Sequence, residues 1–275
     1  MDNLQSYFDA FRQNIVGVDQ QYTTPYGEQP LTYLDWVASG RLYEPVERAL
    51  TYQFGPYVGN THTETSETGT LMTESYRHAR ILIKRHVNAD ENDIILHAGF
   101  GMTAAVNKLQ RIIGLKGCAT LRNTECLKSA DKPVVFVTHM EHHSNHTSWY
   151  ETIADVVVLE PTRDLLVDPA DLEKKLRVYA DRDVKIGSFT ACSNVTGIEA
   201  PYHELARIMH RHGGLCFVDF AASAPYAKID MHPADPKERL DAIFFSPHKF
   251  LGGPGASGVL ILNKALDVNP APDHP

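Results

Sequence analysis

The sequence LDAIFFSPHKFLGGPGASG, residues 240–258, places an apolar run directly before a polar, glycine-rich turn. The run at 242–245 predicts a buried strand, and another apolar run at 259–262 leaves the turn. Lys249 lies just after the first run. A lysine held at the end of a buried strand suits a Schiff-base nucleophile, because burial lowers the pKa of its amine. An exposed turn lysine is the alternative that this stretch alone leaves open.

Apolar runs and amphipathic segments alternate in the part of the chain before this stretch. Further apolar runs predict strands at residues 93–97, 134–138, 156–159, 184–189 and 215–218. Helical spacing is found between them at residues 103–113, 144–152, 169–179 and 202–212, and residues 114–132 form an irregular polar insertion. This alternation indicates an α/β fold with a mostly parallel sheet. One more short strand is predicted at residues 31–37.

The composition argues against several classes of protein. A formal net charge of −8 without a basic cluster disfavours a nucleic-acid partner. No apolar run reaches the roughly 18 residues of a membrane span, and the first residues lack the pattern of a signal peptide. The four cysteines, Cys118, Cys126, Cys192 and Cys216, form no CxxC pair. We therefore expect reduced, mostly buried thiols and a cytoplasmic protein without a membrane partner.

The segment AGFGMTAA, residues 98–105, follows the first of the alternating strands. Glycines before a helix start make an anion site, because the first N–H groups and the helix dipole both favour phosphate. Residues 99–104 also fit the dinucleotide pattern G-x-G-x-x-A. The acidic residue expected after the next strand is missing, since that strand leads into His139. We favour a single phosphate held by Thr103 and backbone N–H groups.

The segment HMEHHSNH, residues 139–146, follows the next strand and carries four histidines. Their spacing raises the possibility of a metal site, but the motif is not H-E-x-x-H, and no cysteine or carboxylate with ligand spacing supports it. We therefore predict no metal here. An imidazole at a strand end can instead stack on an aromatic cofactor. A surface role fits His143 and His146 better than His142.

Two polar residues follow the later strands. Asn194 can offer an amide donor to a ring hydroxyl, although an asparagine before a turn often serves only the turn. Asp219 ends a buried strand, where a carboxylate needs a partner or a proton. A pyridinium N–H is one such partner, and a buried helix cap is an equally good explanation of the residue by itself.

Taken together, these residues resemble class V aminotransferase-like enzymes of the pyridoxal phosphate (PLP) fold type I, and most of all the cysteine desulfurases and selenocysteine lyases. The similarity covers roughly residues 30–265. The matching motifs are Thr103, EHHSN at 141–145, S-N-x-x-G at 193–197, V-D at 218–219 and S-x-H-K at 246–249. The resemblance implies a PLP-dependent transferase large domain, with a seven-stranded, mostly parallel sheet sandwiched by helices.

The resemblance also implies roles for several residues of these motifs and of the loop before Thr103. Lys249 is expected to form the internal aldimine with PLP and to shuttle protons. Asp219 is expected to pair with the pyridine nitrogen, His142 to stack on the ring and Asn194 to approach the ring oxygen. The residues expected to hold the phosphate are Gly101, Met102, Thr103, Ser246 and His248.

The domain organisation is inferred from the same resemblance. We expect residues 1–30 to form an N-terminal helix or arm, residues 31–265 the PLP-binding large domain and residues 266–275 a tail. Family members continue into a C-terminal small domain, which is absent from this chain, so the sequence is expected to be C-terminally truncated. We also expect a homodimer, because sites of this fold type usually borrow groups across a subunit interface.

The expected activity is that of a PLP-dependent transferase or lyase acting on an amino acid, either desulfurase-like or a class V aminotransferase. In desulfurases a glutamine stands three residues after the aspartate, where this chain has Ala222. Two alternatives stay open. One is a catalytically incomplete remnant of the PLP fold, and the other is a nicotinamide-dependent oxidoreductase that uses residues 99–104.

Overall fold

The computed structural model describes residues 2–116 and 132–267, with side chains from Leu4 onward. The chain divides into two compact units. Unit 1 comprises Met1–Leu82 and His248–Gly255, and unit 2 comprises Ile83–Pro247 and Ala256–Pro275. Most of the predicted insertion at 114–132, with Cys118 and Cys126, and most of the predicted tail at 266–275 lie outside the described residues.

Unit 1 is built from short elements. They are helix α1 (Asp2–Arg12), strands β1 (Gln21–Thr24) and β2 (Gly27–Pro30), helix α2 (Glu44–Arg48), a π-helix (Ala49–Phe54), a 3-10 helix (Gly55–Tyr57) and most of helix α3 (Glu67–His86). The strand predicted at 31–37 was wrong, because these residues form loop and turn. The Tyr33 hydroxyl lies 2.8 Å from the Asp35 carbonyl oxygen and 3.0 Å from that of Ser39, and these contacts stabilise the turn.

Unit 2 contains a seven-stranded sheet with helices between the strands. The strands are β3 (Asp93–Ala98), β4 (Val134–Val137), β5 (Asp155–Val158), β6 (Lys185–Thr190), β7 (Leu215–Asp219), β8 (Ala242–Phe245) and β9 (Gly258–Asn263). The helices are α4 (Met102–Ile112), α5 (His143–Tyr150), α6 (Pro169–Val178) and α7 (Tyr202–Arg211). Short 3-10 helices of unit 2 cover Pro236–Glu238 and Lys264–Leu266, and a third, Pro247–Lys249, begins in unit 2 and continues into the part of the chain that belongs to unit 1.

The strands lie in the order β3-β9-β8-β7-β6-β4-β5 across the sheet. β9 is antiparallel to both of its neighbours, β3 and β8, and every other pair is parallel. All strands except β9 therefore run in one direction. The predicted α/β fold with a mostly parallel sheet is confirmed.

Strands β4, β8 and β9 of unit 2 are nearly continuous apolar runs because both faces of the sheet are covered. On one face, Val135 and Val137 of β4 belong to a buried cluster that includes Leu109 of α4 and Trp149 of α5. On the other face, Gly187 of β6 makes room for the Phe189 ring and for α7, since a Cβ atom there would lie 2.3 Å from that ring and 3.1 Å from the Met209 Cγ atom. Within the described ranges, no helix is both long and apolar enough to cross a membrane.

Candidate active site

The candidate residues of unit 2 follow strands that run in one direction. Because β3, β4, β6, β7 and β8 are mutually aligned, their carboxyl ends lie along the same edge of the sheet. Ligands of α/β sheets bind at this edge. The loops that follow these strands carry the predicted residues of unit 2.

The start of α4 has the backbone geometry of an anion-binding loop. Gly99 and Gly101 have φ values of +39° and +81°, a region that glycine adopts without strain. The Met102 N–H donates to the buried Ser246 hydroxyl over 2.8 Å, which joins the first turn of α4 to the end of β8. The backbones also approach closely here, because a Cβ atom on Gly258 would lie 2.0 Å from the Gly101 carbonyl oxygen.

Thr103 joins the start of α4 to the start of α5. Its side chain is exposed, and its hydroxyl donates to the Ser144 hydroxyl over 2.8 Å. A helix leaves its first N–H groups without partners inside the helix, and its dipole is positive at this end. Hydroxyl groups beside such N–H groups form a donor set that suits a phosphate.

His142 is the N-cap residue of α5. Its Nδ1 atom accepts a hydrogen bond from the Ser144 N–H over 3.2 Å, so the neutral ring carries its proton on Nε2. The side chain is exposed. The neighbouring histidines have other contacts, since the His139 Nε2 atom lies 3.0 Å from the Leu165 carbonyl oxygen and the His146 Nε2 atom 3.2 Å from the Tyr150 hydroxyl.

Glu141 is a residue of this edge to which the sequence argument assigned no role. Its carboxylate accepts hydrogen bonds from Thr138, Asn145 and Thr190. Burial raises the pKa of Glu141 to about 7, although these hydrogen bonds act in the opposite direction. The available signal in the sequence was its place directly after a buried strand and directly before His142.

Asp219 is buried at the end of β7, between the ends of β6 and β8. Its Oδ1 atom accepts from the Ala221 N–H over 2.8 Å. Residues 221–226 form turns and not a helix, so this contact stabilises a local turn and the helix-cap interpretation is wrong. Its carbonyl oxygen accepts from the Ala191 N–H over 2.8 Å, which fixes the backbone of Asp219 against the end of β6. Ala222, the position of the family's glutamine, is half-buried.

Asn194 lies exposed in a tight turn after β6. The Ser193 hydroxyl oxygen lies 3.2 Å from the Val195 N–H and 3.3 Å from the Thr196 N–H, and Gly197 closes the turn with a φ of +73°. The turn therefore presents the Asn194 side chain to solvent.

His248 and Lys249 belong to unit 1. Both are half-buried, so Lys249 is not the fully exposed turn lysine of the alternative interpretation. The His248 carbonyl oxygen accepts from the Gly40 N–H over 3.0 Å, and a Cβ atom on Gly40 would lie 1.9 Å from the Phe250 carbonyl oxygen. Burial, and then the positive charge of Lys249, lower the pKa of His248.

Comparison with known proteins identifies the family. Residues 32–274 match the family described as aminotransferase class V. The chain is 33% identical over 240 residues to a probable cysteine desulfurase of Halalkalibacterium halodurans, and this match covers 86% of the chain and 54% of that protein. It is 28% identical to a cysteine desulfurase of Synechococcus elongatus, with 84% of the chain and 34% of that protein covered. The chain spans about half or less of the length of these relatives.

Solved structures show the same fold. The apo structure of a cysteine desulfurase from Thermococcus onnurineus matches 94% of the chain and 57% of its own length, with a TM-score of 0.71 and 21% identity. A cysteine desulfurase from Escherichia coli matches 85% of the chain and 54% of its own length, with a TM-score of 0.63 and 25% identity. The sequence match and the sheet agree, and we conclude that this chain belongs to the aminotransferase class V family and has cysteine desulfurases among its relatives.

Proposed function

We propose that this chain provides the cofactor-binding part of a PLP-dependent enzyme that acts on an amino acid in the manner of a cysteine desulfurase or a class V aminotransferase. Family membership supports the cofactor. The observation that carries the proposal is the buried hydrogen bond from the Met102 N–H to the Ser246 hydroxyl. It joins a phosphate-type loop to the strand end that lies three residues before Lys249 in the sequence.

The donors at the start of α4 fit the phosphate of PLP. Thr103 and Ser246 offer hydroxyl groups, and the α4 N-terminus adds N–H groups and the positive end of its dipole. The φ values of Gly99 and Gly101 allow the backbone to curve around an anion. We propose His248 as a further phosphate ligand on the basis of the family resemblance.

The groups proposed for the pyridine ring differ in chemistry. Asp219 is an acceptor in a buried position, where a charged carboxylate is stabilised by a cationic N–H partner. Its proposed role is to hold a proton on the ring nitrogen. The exposed, neutral imidazole of His142 offers a flat surface for the ring, and Asn194 is proposed as a donor to the ring oxygen.

When bound, PLP supplies an aldehyde that reacts with amines and a ring that withdraws electrons from the substrate's α-carbon. In this proposal the Lys249 Nζ atom is the point of covalent attachment and afterwards carries protons to and from the α-carbon. Asp219 supports that chemistry by keeping the ring nitrogen protonated.

We also propose that the enzyme is a homodimer. Leu4, Tyr7, Phe8 and Phe11 form an apolar stripe at helical spacing on α1, with exposed fractions of 64%, 59%, 53% and 39%. The Tyr7 ring lies 5.1 Å from that of Phe8 and 5.2 Å from that of Phe11, between ring centroids. An apolar surface of this kind is typical of an interaction site, and a second copy of the chain would bury it.

The ring-nitrogen role can be tested without measuring turnover. The wild-type chain, Asp219→Asn and the exposed control Asp183→Asn are each loaded with PLP labelled with ¹⁵N in the ring. We expect a protonated nitrogen resonance in the wild type and the control, and an unprotonated one in Asp219→Asn. A protonated nitrogen in all three would contradict the role of Asp219, and binding of NAD without PLP would favour the nicotinamide alternative.

A further inference from the structure

Acidic side chains usually face solvent, and the carboxyl group of Glu141 does not. It lies in the loop between β4 and α5, one residue before the exposed His142, yet its carboxylate faces inward. An acidic group taken out of water costs free energy unless hydrogen bonds compensate it. Burial raises its pKa to about 7. The contacts around it indicate what the carboxylate does.

One oxygen of Glu141 joins the ends of two strands. Oε1 accepts from the Thr138 N–H over 3.1 Å and from the Thr138 hydroxyl over 2.7 Å, at the end of β4. The same oxygen accepts from the Thr190 N–H over 2.8 Å, at the end of β6. Thr138 and Thr190 are both buried. The carboxylate therefore holds the residue before His142 against the sheet at two points.

The other oxygen joins this anchor to α5. Oε2 accepts from the Asn145 side-chain amide over 2.7 Å. The orientation of that amide is fixed, because its Oδ1 atom accepts from the Ser188 hydroxyl over 2.7 Å and from the Trp149 indole N–H over 3.3 Å. Asn145 therefore presents its N–H₂ group, and not its oxygen, to Glu141. All the groups that bond to Glu141 are uncharged donors.

His142 lies between two fixed points. Glu141 anchors its backbone on one side, and the Ser144 N–H binds its Nδ1 atom on the other. Given the function proposed above, on which this inference rests, the direction of the His142 ring matters for cofactor binding. We propose that Glu141 is a positioning residue that holds His142 in the orientation needed to stack on the pyridine ring, by joining β4, β6 and α5 through one carboxyl group.

The test compares Glu141→Gln with the double variant Glu141→Gln/Asn145→Asp. In the single variant, the new side-chain N–H₂ group faces the N–H₂ group of Asn145, so one of the two donors is left without an acceptor. In the double variant, the new carboxylate at position 145 accepts from the glutamine side chain introduced at position 141. Only the longer hydrogen bond of 3.3 Å, from the Asn145 side chain to the Ser188 carbonyl oxygen, is lost. Glu151→Gln, at the exposed C-cap of α5, is the matched control.

The first measurement needs no cofactor. We expect Glu141→Gln to shift the ring resonances of His142 in the NMR spectrum, assigned with His142→Ala, and to leave those of His146 in place. His146 lies on the same helix and contacts Tyr150, so it reports general loosening of α5. The double variant should restore the His142 resonances. Unchanged His142 resonances, or equal shifts of both histidines, would overturn the positioning role.

The second measurement is the dissociation constant of PLP for the full chain. We expect it to weaken about tenfold in Glu141→Gln, to return to within about threefold in the double variant and to stay unchanged in Glu151→Gln. An affinity in Glu141→Gln equal to that of Glu151→Gln would contradict the inference. A wild-type chain that binds no PLP would contradict the proposed function, and the His142 resonances would still decide the role of Glu141.

If Glu141→Gln does not fold, Thr138→Val replaces it. This change removes one hydroxyl donor to Glu141 and keeps both backbone donors. The expected His142 shift is then smaller and in the same direction, and no shift would overturn the proposal.

Discussion

Units 1 and 2 differ in how far their apolar side chains are buried. In the described residues, every buried hydrophobic side chain lies between Val87 and Leu262 and belongs to unit 2. The larger apolar side chains of unit 1 are partly or mostly exposed, as for Tyr52 (70%) and Leu34 (82%). Burial of apolar surface is the main favourable term in folding. Unit 2 therefore owes its stability to its own core, whereas unit 1 presents surface suited to an interaction.

The largest expected difference comes from removing one aromatic ring in each unit. Phe217 is fully buried and stacks on Trp149 with 6.4 Å between ring centroids, so Phe217→Ala should lower the free energy of unfolding by about 3–5 kcal/mol. Phe8 of unit 1 is 53% exposed, and Phe8→Ala should cost the monomer less than about 1 kcal/mol. Denaturant unfolding measures both. Similar losses in the two variants would remove the contrast between the units.

The polar contacts of carboxylates should show the same contrast with a smaller effect. In unit 2, the buried Asp241 carboxylate lies 2.8 Å from the His210 Nε2 atom and accepts from the Cys216 N–H over 2.8 Å. Asp241→Ala leaves both groups buried without their acceptor, and we expect a loss of about 2–4 kcal/mol. In unit 1, Arg77 and Glu64 form an ion pair of 2.7 Å with both side chains more than half exposed. Arg77→Ala should cost less than about 1 kcal/mol in thermal or denaturant unfolding, and equal costs would contradict the account.

The stability of unit 2 should also depend on pH through Glu141. The pKa of Glu141 is raised from 4.5 to about 7, so the folded state favours the protonated form. Its contribution to stability is fully present below pH 4.5 and is lost as the pH rises through about 7. The loss should reach at most about 3.5 kcal/mol, since each pKa unit corresponds to about 1.4 kcal/mol.

Glu141→Gln is the variant that isolates this effect, because a glutamine does not titrate. Four histidines, His139, His142, His143 and His146, lie in the same segment as Glu141, so the quantity to measure is the difference between wild type and variant at each pH. We expect that difference to change between pH 5 and 8 and to be flat in the Glu151→Gln control. A flat difference for Glu141→Gln would show that the carboxyl group does not titrate in this range.

The smallest effect on the monomer, and the most specific one, concerns the apolar stripe of α1. Phe8→Ser should leave the free energy of unfolding of unit 2 unchanged and should weaken self-association, because it removes a large apolar side chain from the stripe. Light scattering over a range of protein concentrations measures the association, with Gln5→Ser on the same helix as the control. A wild-type chain that stays monomeric at high concentration would contradict the dimer.

Strands such as β4 and β8 could be predicted because a sheet covered on both faces leaves unbroken apolar runs in the sequence. The strand predicted at 31–37 was wrong because apolar residues alone do not make a strand. In this segment the Tyr33 hydroxyl stabilises a turn, and the backbone does not pair with any strand that the structure describes. The roles of strand-end residues are harder to read. Asp219 uses one oxygen for a local turn, whereas the sequence suggested a helix cap or a pyridinium partner.

Glu141 shows what the sequence did not reveal. The residue stands in the EHHSN motif, but its partners Thr138, Asn145 and Thr190 come from three elements that only the fold brings together. Burial of the carboxylate, and hence its raised pKa, depends on those tertiary contacts. Composition and spacing could not distinguish this residue from a solvated glutamate.

The central claim is that Lys249 is the residue to which PLP becomes covalently attached. The most direct measurement is the visible absorption spectrum of the chain with added PLP, before and after borohydride, followed by peptide mapping of the label. We expect a yellow band that borohydride bleaches, with the label on Lys249, the same result in the exposed control Lys264→Ala and no label in Lys249→Ala. A band that persists in Lys249→Ala, or a label on another lysine, would contradict it.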